Sequence, residues 1–259
     1  MPPLDPAYVA SGAGVGLLVG LTGVGGGSLM TPLLMLVFGV QPATAVGTDL
    51  LYASVTKTAG GAVHGGMGSV MWTVVGRLAL GSVPAAALTL WVLYLAGKPS
   101  PQLQTAITIT LGAVLVATAV LILVRAALVG RLVLLTSGWS GRRRATATVA
   151  IGLLLGVLVS LTSVGAGALG VTALLVLYPE LPASRIVGSD IAHAVPLTLL
   201  AGLGHWLAGA VDSVLLVSLL AGSVPAVLLG SLLGARAPDR FLQPLLALVL
   251  ALVGIRLVI

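Results

Sequence analysis

Apolar residues run along almost the whole chain and are interrupted at intervals by proline, glycine or charged residues. We count eight apolar segments between these interruptions. A helix that crosses the hydrocarbon core of a bilayer needs about 20 mostly apolar residues, and most of the segments approach that length. The pattern therefore predicts an all-α polytopic membrane protein with nearly all of its residues in or beside the bilayer.

Two glycine clusters break this apolar pattern in corresponding places. The first lies within Leu21–Leu29 and the second within Leu161–Leu169. A break in a helix frees backbone N–H groups that lipid cannot satisfy, so it is tolerated only where it is buried in protein or lines a cavity. Paired breaks of this kind are typical of transporter binding sites. The sequence leaves open whether each broken segment is a discontinuous crossing or a re-entrant hairpin.

The motifs of the first half recur in the same order in the second half. Val46-Gly47-Thr48-Asp49 returns as Val187-Gly188-Ser189-Asp190, and the run Gly81–Ala85 is identical to Gly222–Ala226. Such spacing predicts two pseudo-symmetric repeats of about four hydrophobic segments each, with a glycine-broken first segment in each repeat. The predicted organisation is a first transmembrane repeat at 1–125, an Arg-rich cytoplasmic linker at 126–148 and a second transmembrane repeat at 149–259.

A stripe of small residues precedes each glycine cluster. Gly12, Gly16 and Gly20 recur every fourth position in the first half, and Gly152, Gly156 and Ser160 do so in the second. Small residues at this spacing let another helix approach closely, so both stripes are predicted helix contacts.

Composition strengthens the membrane assignment and narrows the function. Hydrophobic residues make up 58% of the chain, charged residues 7%, and the mean hydropathy is +1.20, whereas soluble domains carry about 25% charged residues. The net charge is +6, and much of it lies in the linker, which indicates a cytoplasmic loop rather than a nucleic-acid surface. The absence of cysteine excludes disulfides and cysteine-ligated metals.

With these motifs in hand, the chain resembles the sulfite exporter TauE/SafE family of membrane transporters over nearly its whole length. The resemblance is carried by Gly23-Val24-Gly25-Gly26-Gly27, by Ala45–Asp49, by Lys57 and His64, and by the repeated Gly-Ser-Val-Pro-Ala run. It implies an eight-helix secondary transporter of the prokaryotic inner membrane that moves sulfur-containing anions. Two positions depart from the family pattern, because Met71 replaces an acid and Ser213 replaces a tryptophan.

The predicted substrate site lies at the two breaks. Unpaired N–H groups and the positive end of a helix dipole favour an anion. The alternative is that the glycines serve only close helix packing. The candidate substrate-binding residues are Gly25, Gly26, Gly27, Ser28, Thr48, Lys57, Gly165, Ala166, Gly167 and Ser189.

Four ionisable residues within apolar segments are candidates for proton coupling. The apolar segments contain few ionisable residues, and among them are Asp49, Asp190, His193 and His205. A charge inside a membrane is energetically costly, so these residues are candidates for a function. Helical spacing places His193 about 60° from Asp190. The alternatives are that both aspartates are helix N-caps near the membrane surface, that His64 and His205 have interfacial structural roles, and that Lys57 pairs with Asp49 only for stability.

The predicted function is therefore a secondary transporter of a small sulfur-containing anion, such as sulfite or an organosulfonate, coupled to protons or another ion. A passive anion channel is the alternative. No enzyme activity, cofactor or metal site is expected. The expected partners are the anionic substrate and the lipid bilayer of the cytoplasmic (inner) membrane, with a homodimer left open and no nucleic acid. Parallel repeats with four crossings each and inverted repeats with three crossings each both remain open.

Overall fold

The computed structural model describes residues 4–22, 27–63, 70–97, 100–234 and 239–259. All regular secondary structure in these ranges is helical. Along the chain the described helices are α1 (Pro6–Thr22), α2 (Gly27–Leu36), α3 (Pro42–Val63), α4 (Trp72–Leu95), α5 (Pro101–Thr136), α6 (Gly141–Thr162), α7 (Ala168–Leu177), α8 (Ala183–Leu207), α9 (Ser213–Gly234) and α10 (Asp239–Val258).

The predicted helical membrane class is confirmed. Within the described ranges, five helices are long and apolar enough to cross a membrane, namely α4, α5, α6, α8 and most of α9. There are ten described helices rather than eight because each of the two segments that contain a glycine cluster supplies two helices. The predicted linker at 126–148 consists of the end of α5, a short connection at 137–140 and the start of α6.

The second glycine cluster is a true break in the helix, as predicted. The α6 helix ends at Thr162, and Ser163 takes a left-handed backbone conformation with φ 59°. Gly165 and Gly167 follow with φ of 122° and 123°, a region that residues with a side chain rarely adopt. In the first half, α1 ends at Thr22 and α2 begins at Gly27, and the intervening residues 23–26 lie outside the described part of the chain.

Each broken segment folds back on itself as a hairpin. The ring of Tyr8, near the start of α1, lies 4.8 Å from the ring of Phe38, just beyond the end of α2. In the second half the Thr148 hydroxyl, in the first turns of α6, lies 2.8 Å from the Tyr178 hydroxyl just after α7. The chain therefore leaves each hairpin on the side where it entered, and the discontinuous crossing is excluded for both segments.

The predicted small-residue stripes are confirmed as helix contacts. Gly12, Gly16 and Gly20 of α1 face the backbone of Leu219, Ser223 and Val227 in α9, so the two helices run parallel. Likewise Gly152 and Gly156 of α6 face the backbone of Leu78 and Ser82 in α4. A Cβ atom at any of these glycines would overlap the backbone of the partner helix.

Two further helix pairs are antiparallel. Gly47 of α3 faces His205 of α8, whereas Gly61, later in α3, faces Ile191, earlier in α8. Gly112 of α5 faces Leu257 of α10, and Gly254 faces Leu115. The α3 and α8 helices therefore run in opposite directions, and α3 contacts a helix of each hairpin, whereas α8 contacts both helices of the second hairpin.

Candidate functional site

The candidate ionisable residues lie on α3 and α8 and point into the protein. Asp49 has no exposed surface, and Lys57, Asp190 and His193 are 9%, 3% and 2% exposed. Asp49 is the eighth residue of α3, which begins at Pro42, and Asp190 is the eighth of α8. Because a helix N-cap precedes the first turn, the alternative that these aspartates are surface N-caps is wrong.

Lys57 connects the interior of α3 to the second glycine break. Its Nζ atom donates a hydrogen bond of 3.1 Å to the backbone oxygen of Ala166. Among the described residues, the only contact ion pair is the one between Arg144 and Glu180, so Lys57 makes none. Its ammonium charge nevertheless acts on the carboxylates of Asp49 and Asp190. The alternative that Lys57 forms a stabilising contact pair with Asp49 is not what the structure has.

Hydroxyl groups from both hairpins face the carboxylate of Asp49. The Thr31 hydroxyl of α2 donates a hydrogen bond to Asp49 Oδ2. The Ser163 hydroxyl, at the second break, faces the same carboxylate without reaching hydrogen-bond geometry, and Asp49 Oδ1 has no partner among the described residues. Sequence reasoning missed the role of Thr31, although it lies one turn after the first glycine cluster.

Among the described residues, the carboxylate of Asp190 accepts fewer hydrogen bonds than that of Asp49. Its Oδ1 atom is buried and accepts no hydrogen bond within the part of the chain that the structure describes. The same atom lies over the Cα of Gly170 in α7, where any Cβ would overlap it. A carboxylate oxygen that is buried without a donor is energetically costly, which marks Asp190 as a functional candidate.

His193 contacts the opposite half of the chain. Its Nε2 atom lies 2.8 Å from the hydroxyl of Ser82 in α4, while its Nδ1 atom is buried without a partner among the described residues. At the corresponding position of α3, the Tyr52 hydroxyl faces Ser223 of α9. The sequence motif Gly-Ser-Val-Pro-Ala contains both serines, which could have been recognised as the polar residues of an otherwise apolar run.

The other predicted site residues lie apart from this cluster. His205 is buried, and its Nε2 atom lies 2.9 Å from the Ser160 backbone oxygen of α6, so it joins helices rather than facing the membrane interface. Thr48 accepts a hydrogen bond of 3.1 Å from the Asp212 amide. Ser189 accepts one of 2.9 Å from the Met71 amide. Each hydroxyl therefore binds the backbone one residue before a helix begins, which is α9 for Thr48 and α4 for Ser189.

The remaining candidates belong to the breaks themselves. Gly165, Ala166 and Gly167 form the turn between α6 and α7. Gly27 and Ser28 begin α2, whereas Gly25, Gly26 and His64 lie outside the described residues. Within the described ranges, no group of three His, Cys, Asp or Glu side chains could hold a metal ion.

The site thus combines a buried ammonium, two buried carboxylates and an imidazole beside a helix break. A sequence model of the family described as sulfite exporter TauE/SafE matches residues 8–257 of the chain. The chain belongs to the TauE/SafE family. TauE/SafE proteins are membrane transporters, not enzymes, and the membership confirms the resemblance that the motifs predict.

Curated relatives support the TauE/SafE assignment along the whole chain. The probable membrane transporter protein YjnA of Bacillus subtilis is 40% identical over 259 residues, which cover 98% of this chain and all of YjnA. The probable membrane transporter protein YdhB of the same organism is 29% identical over 80% of each chain. YunE, a third probable membrane transporter protein from B. subtilis, is 42% identical over 72 residues. No solved structure gives a significant match.

Proposed function

We propose that this TauE/SafE protein is a secondary transporter that moves a small sulfur-containing anion, such as sulfite or an organosulfonate, across the cytoplasmic membrane with a coupling ion. The observation that carries the proposal is the buried Lys57 ammonium beside the Ala166 break, without a contact ion pair. A buried cation that lacks a contacting counter-ion supplies the charge that an anionic substrate needs. The start of α7 beside the break adds backbone N–H groups that have no partner within the helix.

The direct test is uptake into proteoliposomes. We expect purified protein to move labelled sulfite, methanesulfonate, isethionate or thiosulfate faster than empty vesicles, and uptake to change with an imposed pH difference. An anion flux that does not depend on the pH difference at zero membrane potential, and that saturates only weakly with anion concentration, would favour the passive anion channel. No flux of any of these anions would refute the proposal.

We further propose that the chain is built from two inverted repeats, α1–α5 and α6–α10. Several equivalent contacts support this arrangement. The α1 helix packs on α9 as α6 packs on α4, through the same stripe of small residues. Thr48 accepts a hydrogen bond from the Asp212 amide, just as Ser189 accepts one from the Met71 amide. Thr48 and Ser189 lie 141 residues apart in the sequence, and so do Met71 and Asp212. The equivalent helices α3 and α8 run antiparallel, which suits inverted repeats and not parallel ones.

This topology suggests an orientation in the membrane. The hairpins return to the side on which they start, and α4 runs parallel to α6, so α4, α6 and α8 all begin on one side of the protein. That side carries Arg77, Arg131, Arg142–Arg144 and Arg185, whereas Asp5 and Asp212 precede α1 and α9 on the other side. Short loops rich in Lys and Arg face the cytoplasm. We propose that the arginine side is cytoplasmic and that Ile259 lies on the external side.

The natural absence of cysteine makes this orientation easy to test. Ser137 on the arginine side and Ala208 on the opposite side are both exposed and suit single cysteine substitutions. In intact spheroplasts, we expect a membrane-impermeant maleimide to label Ala208→Cys at once and Ser137→Cys only after permeabilisation. The reverse pattern would refute the orientation, and labelling of both variants on one side would refute the inverted repeats.

A further inference from the structure

We propose that Asp190 is the residue that binds and releases the coupling proton, while Asp49 remains the fixed counter-charge of Lys57. This inference rests on the proposed anion transport. It assigns different tasks to two aspartates that occupy equivalent positions of the two halves.

The first argument is the different hydrogen bonding of two equivalent threonines. Thr31 and Thr172 stand at the same place in α2 and α7. The Thr31 hydroxyl donates to the carboxylate of Asp49, whereas the Thr172 hydroxyl donates to the Ala168 backbone oxygen at 2.7 Å within its own helix. A donated hydrogen bond stabilises an ionised carboxylate. Among the described residues, Asp49 therefore has a hydrogen-bond donor that supports its negative charge, and Asp190 has none.

The second argument is the space around the Asp190 carboxyl group. Counted from the helix starts at Gly27 and Ala168, the third residue is Leu29 in α2 and Gly170 in α7, so the second half has no side chain at this helical position. Asp190 Oδ1 lies against the Gly170 backbone and accepts no hydrogen bond among the described residues. An ionised carboxylate accepts hydrogen bonds only, so one that is buried without a donor gains from binding a proton.

The third argument is the balance of charge around Lys57. Among the described residues, Lys57 of α3 is the charged group that acts on Asp190 from a neighbouring helix. On α8 itself His193 lies less than one turn away, and Arg185 lies five residues earlier near the exposed end. One ammonium faces two carboxylates, so an incoming anion would meet excess negative charge. A proton on Asp190 removes that excess, and Lys57 and Asp49 then balance each other.

The resulting cycle moves one proton with each anion. A proton binds a carboxylate oxygen of Asp190 as the anion enters beside Lys57. The proton leaves the same oxygen when the anion departs on the other side. No bond of the substrate breaks, and no electron is transferred.

The experiment compares exchange with driven accumulation in proteoliposomes whose membrane potential is clamped at zero with potassium and valinomycin. The probe is isethionate, a sulfonate that stays anionic across the pH range used. Exchange of labelled for unlabelled isethionate at equal pH needs no net proton movement. A pH difference of one unit can drive up to about tenfold accumulation if one proton accompanies each anion.

We expect the wild type to show both activities. Asp190→Asn should retain exchange at a reduced rate, and its accumulation ratio should fall from as much as tenfold to about one. Asp49→Asn should slow exchange and accumulation together, because Lys57 loses its fixed counter-charge. Full accumulation by Asp190→Asn would overturn the inference, and so would selective uncoupling by Asp49→Asn.

Two measurements guard against misfolded variants. Gly170→Ala places a Cβ against Asp190 Oδ1 and should also lower accumulation more than exchange, whereas Gly130→Ala, with open space around its Cβ, should change neither. In the wild type, a pH-sensitive dye inside the vesicles should report one proton per isethionate. A ratio of zero in an active wild type would overturn the inference alone. A wild type that neither exchanges nor accumulates isethionate would refute the proposed function for sulfonates, and the inference with it.

Discussion

Replacing glycine with alanine at neighbouring positions of α1 should change stability in opposite directions. A Cβ at Gly16 would lie 2.8 Å from the Ser223 Cα of α9 and 2.7 Å from its backbone oxygen. Carbon atoms normally pack about 3.5–4.0 Å apart, so α1 and α9 would have to separate by roughly 1 Å. Overpacking of this kind costs about 1–3 kcal/mol. A Cβ at Gly14 meets nothing within 4 Å, so alanine there should stabilise the helix by about 0.5–1 kcal/mol.

Thermal unfolding of the two purified variants in the same detergent measures this difference. For a chain of this size, 1 kcal/mol corresponds to about 2–4 °C in Tm. We therefore expect Gly16→Ala to unfold about 2–12 °C below the wild type, and Gly14→Ala to unfold at or slightly above it. Gly156→Ala in α6, whose Cβ would lie 2.8 Å from the Ser82 Cα, should resemble Gly16→Ala. Equal Tm values for Gly14→Ala and Gly16→Ala would refute the close contact of α1 and α9.

Substitutions at Lys57, Ser82 and Arg144 test individual side chains. Lys57→Met should weaken anion binding about 10–100-fold in a titration, because a hydrogen bond to a charged group contributes about 1.5–3 kcal/mol. Lys57→Arg keeps the positive charge and should weaken binding less. Unchanged anion binding by Lys57→Met would contradict the proposed site. Ser82→Ala leaves the buried His193 Nε2 atom without its hydroxyl partner, so the Tm should fall by about 2–12 °C. Ser223→Ala, whose hydroxyl makes no hydrogen bond among the described residues, is the matched control and should lower the Tm less. Arg144→Ala removes an ion pair between the partly buried Arg144 and the exposed Glu180 and should cost at most about 1 kcal/mol in a thermal unfolding assay, so a larger loss would contradict solvent screening of the pair through Glu180.

The sequence allowed the helical membrane class, the second helix break and the small-residue stripes to be predicted. These features are local, because hydropathy, glycine clusters and four-residue spacing each act within one or two helices. The burial of Asp49 and Asp190 was also within reach, since both lie in apolar segments. Their position within the helices could not be decided, because helix starts depend on where each hairpin ends.

The partners across the interior could not be predicted. Lys57 reaches Ala166, which is 109 residues away, and only the folded hairpin brings them together. The different hydrogen bonds of Thr31 and Thr172 depend on side-chain rotamers, which a sequence repeat does not determine. A repeat in the sequence predicts equivalent backbone positions, and side-chain contacts at those positions are free to differ.

The partnership of α1 with α9 has a consequence for biosynthesis. Gly12 meets its partner Leu219 only after roughly 200 more residues have been made, which takes about 10–40 s at about 5–20 residues per second. During that interval Gly12, Gly16 and Gly20 of α1 lack the α9 backbone that packs against them in the folded protein. Final assembly must therefore wait until synthesis is almost complete, and a ribosome that stalls after α8 would release a chain whose first helix still lacks its neighbour.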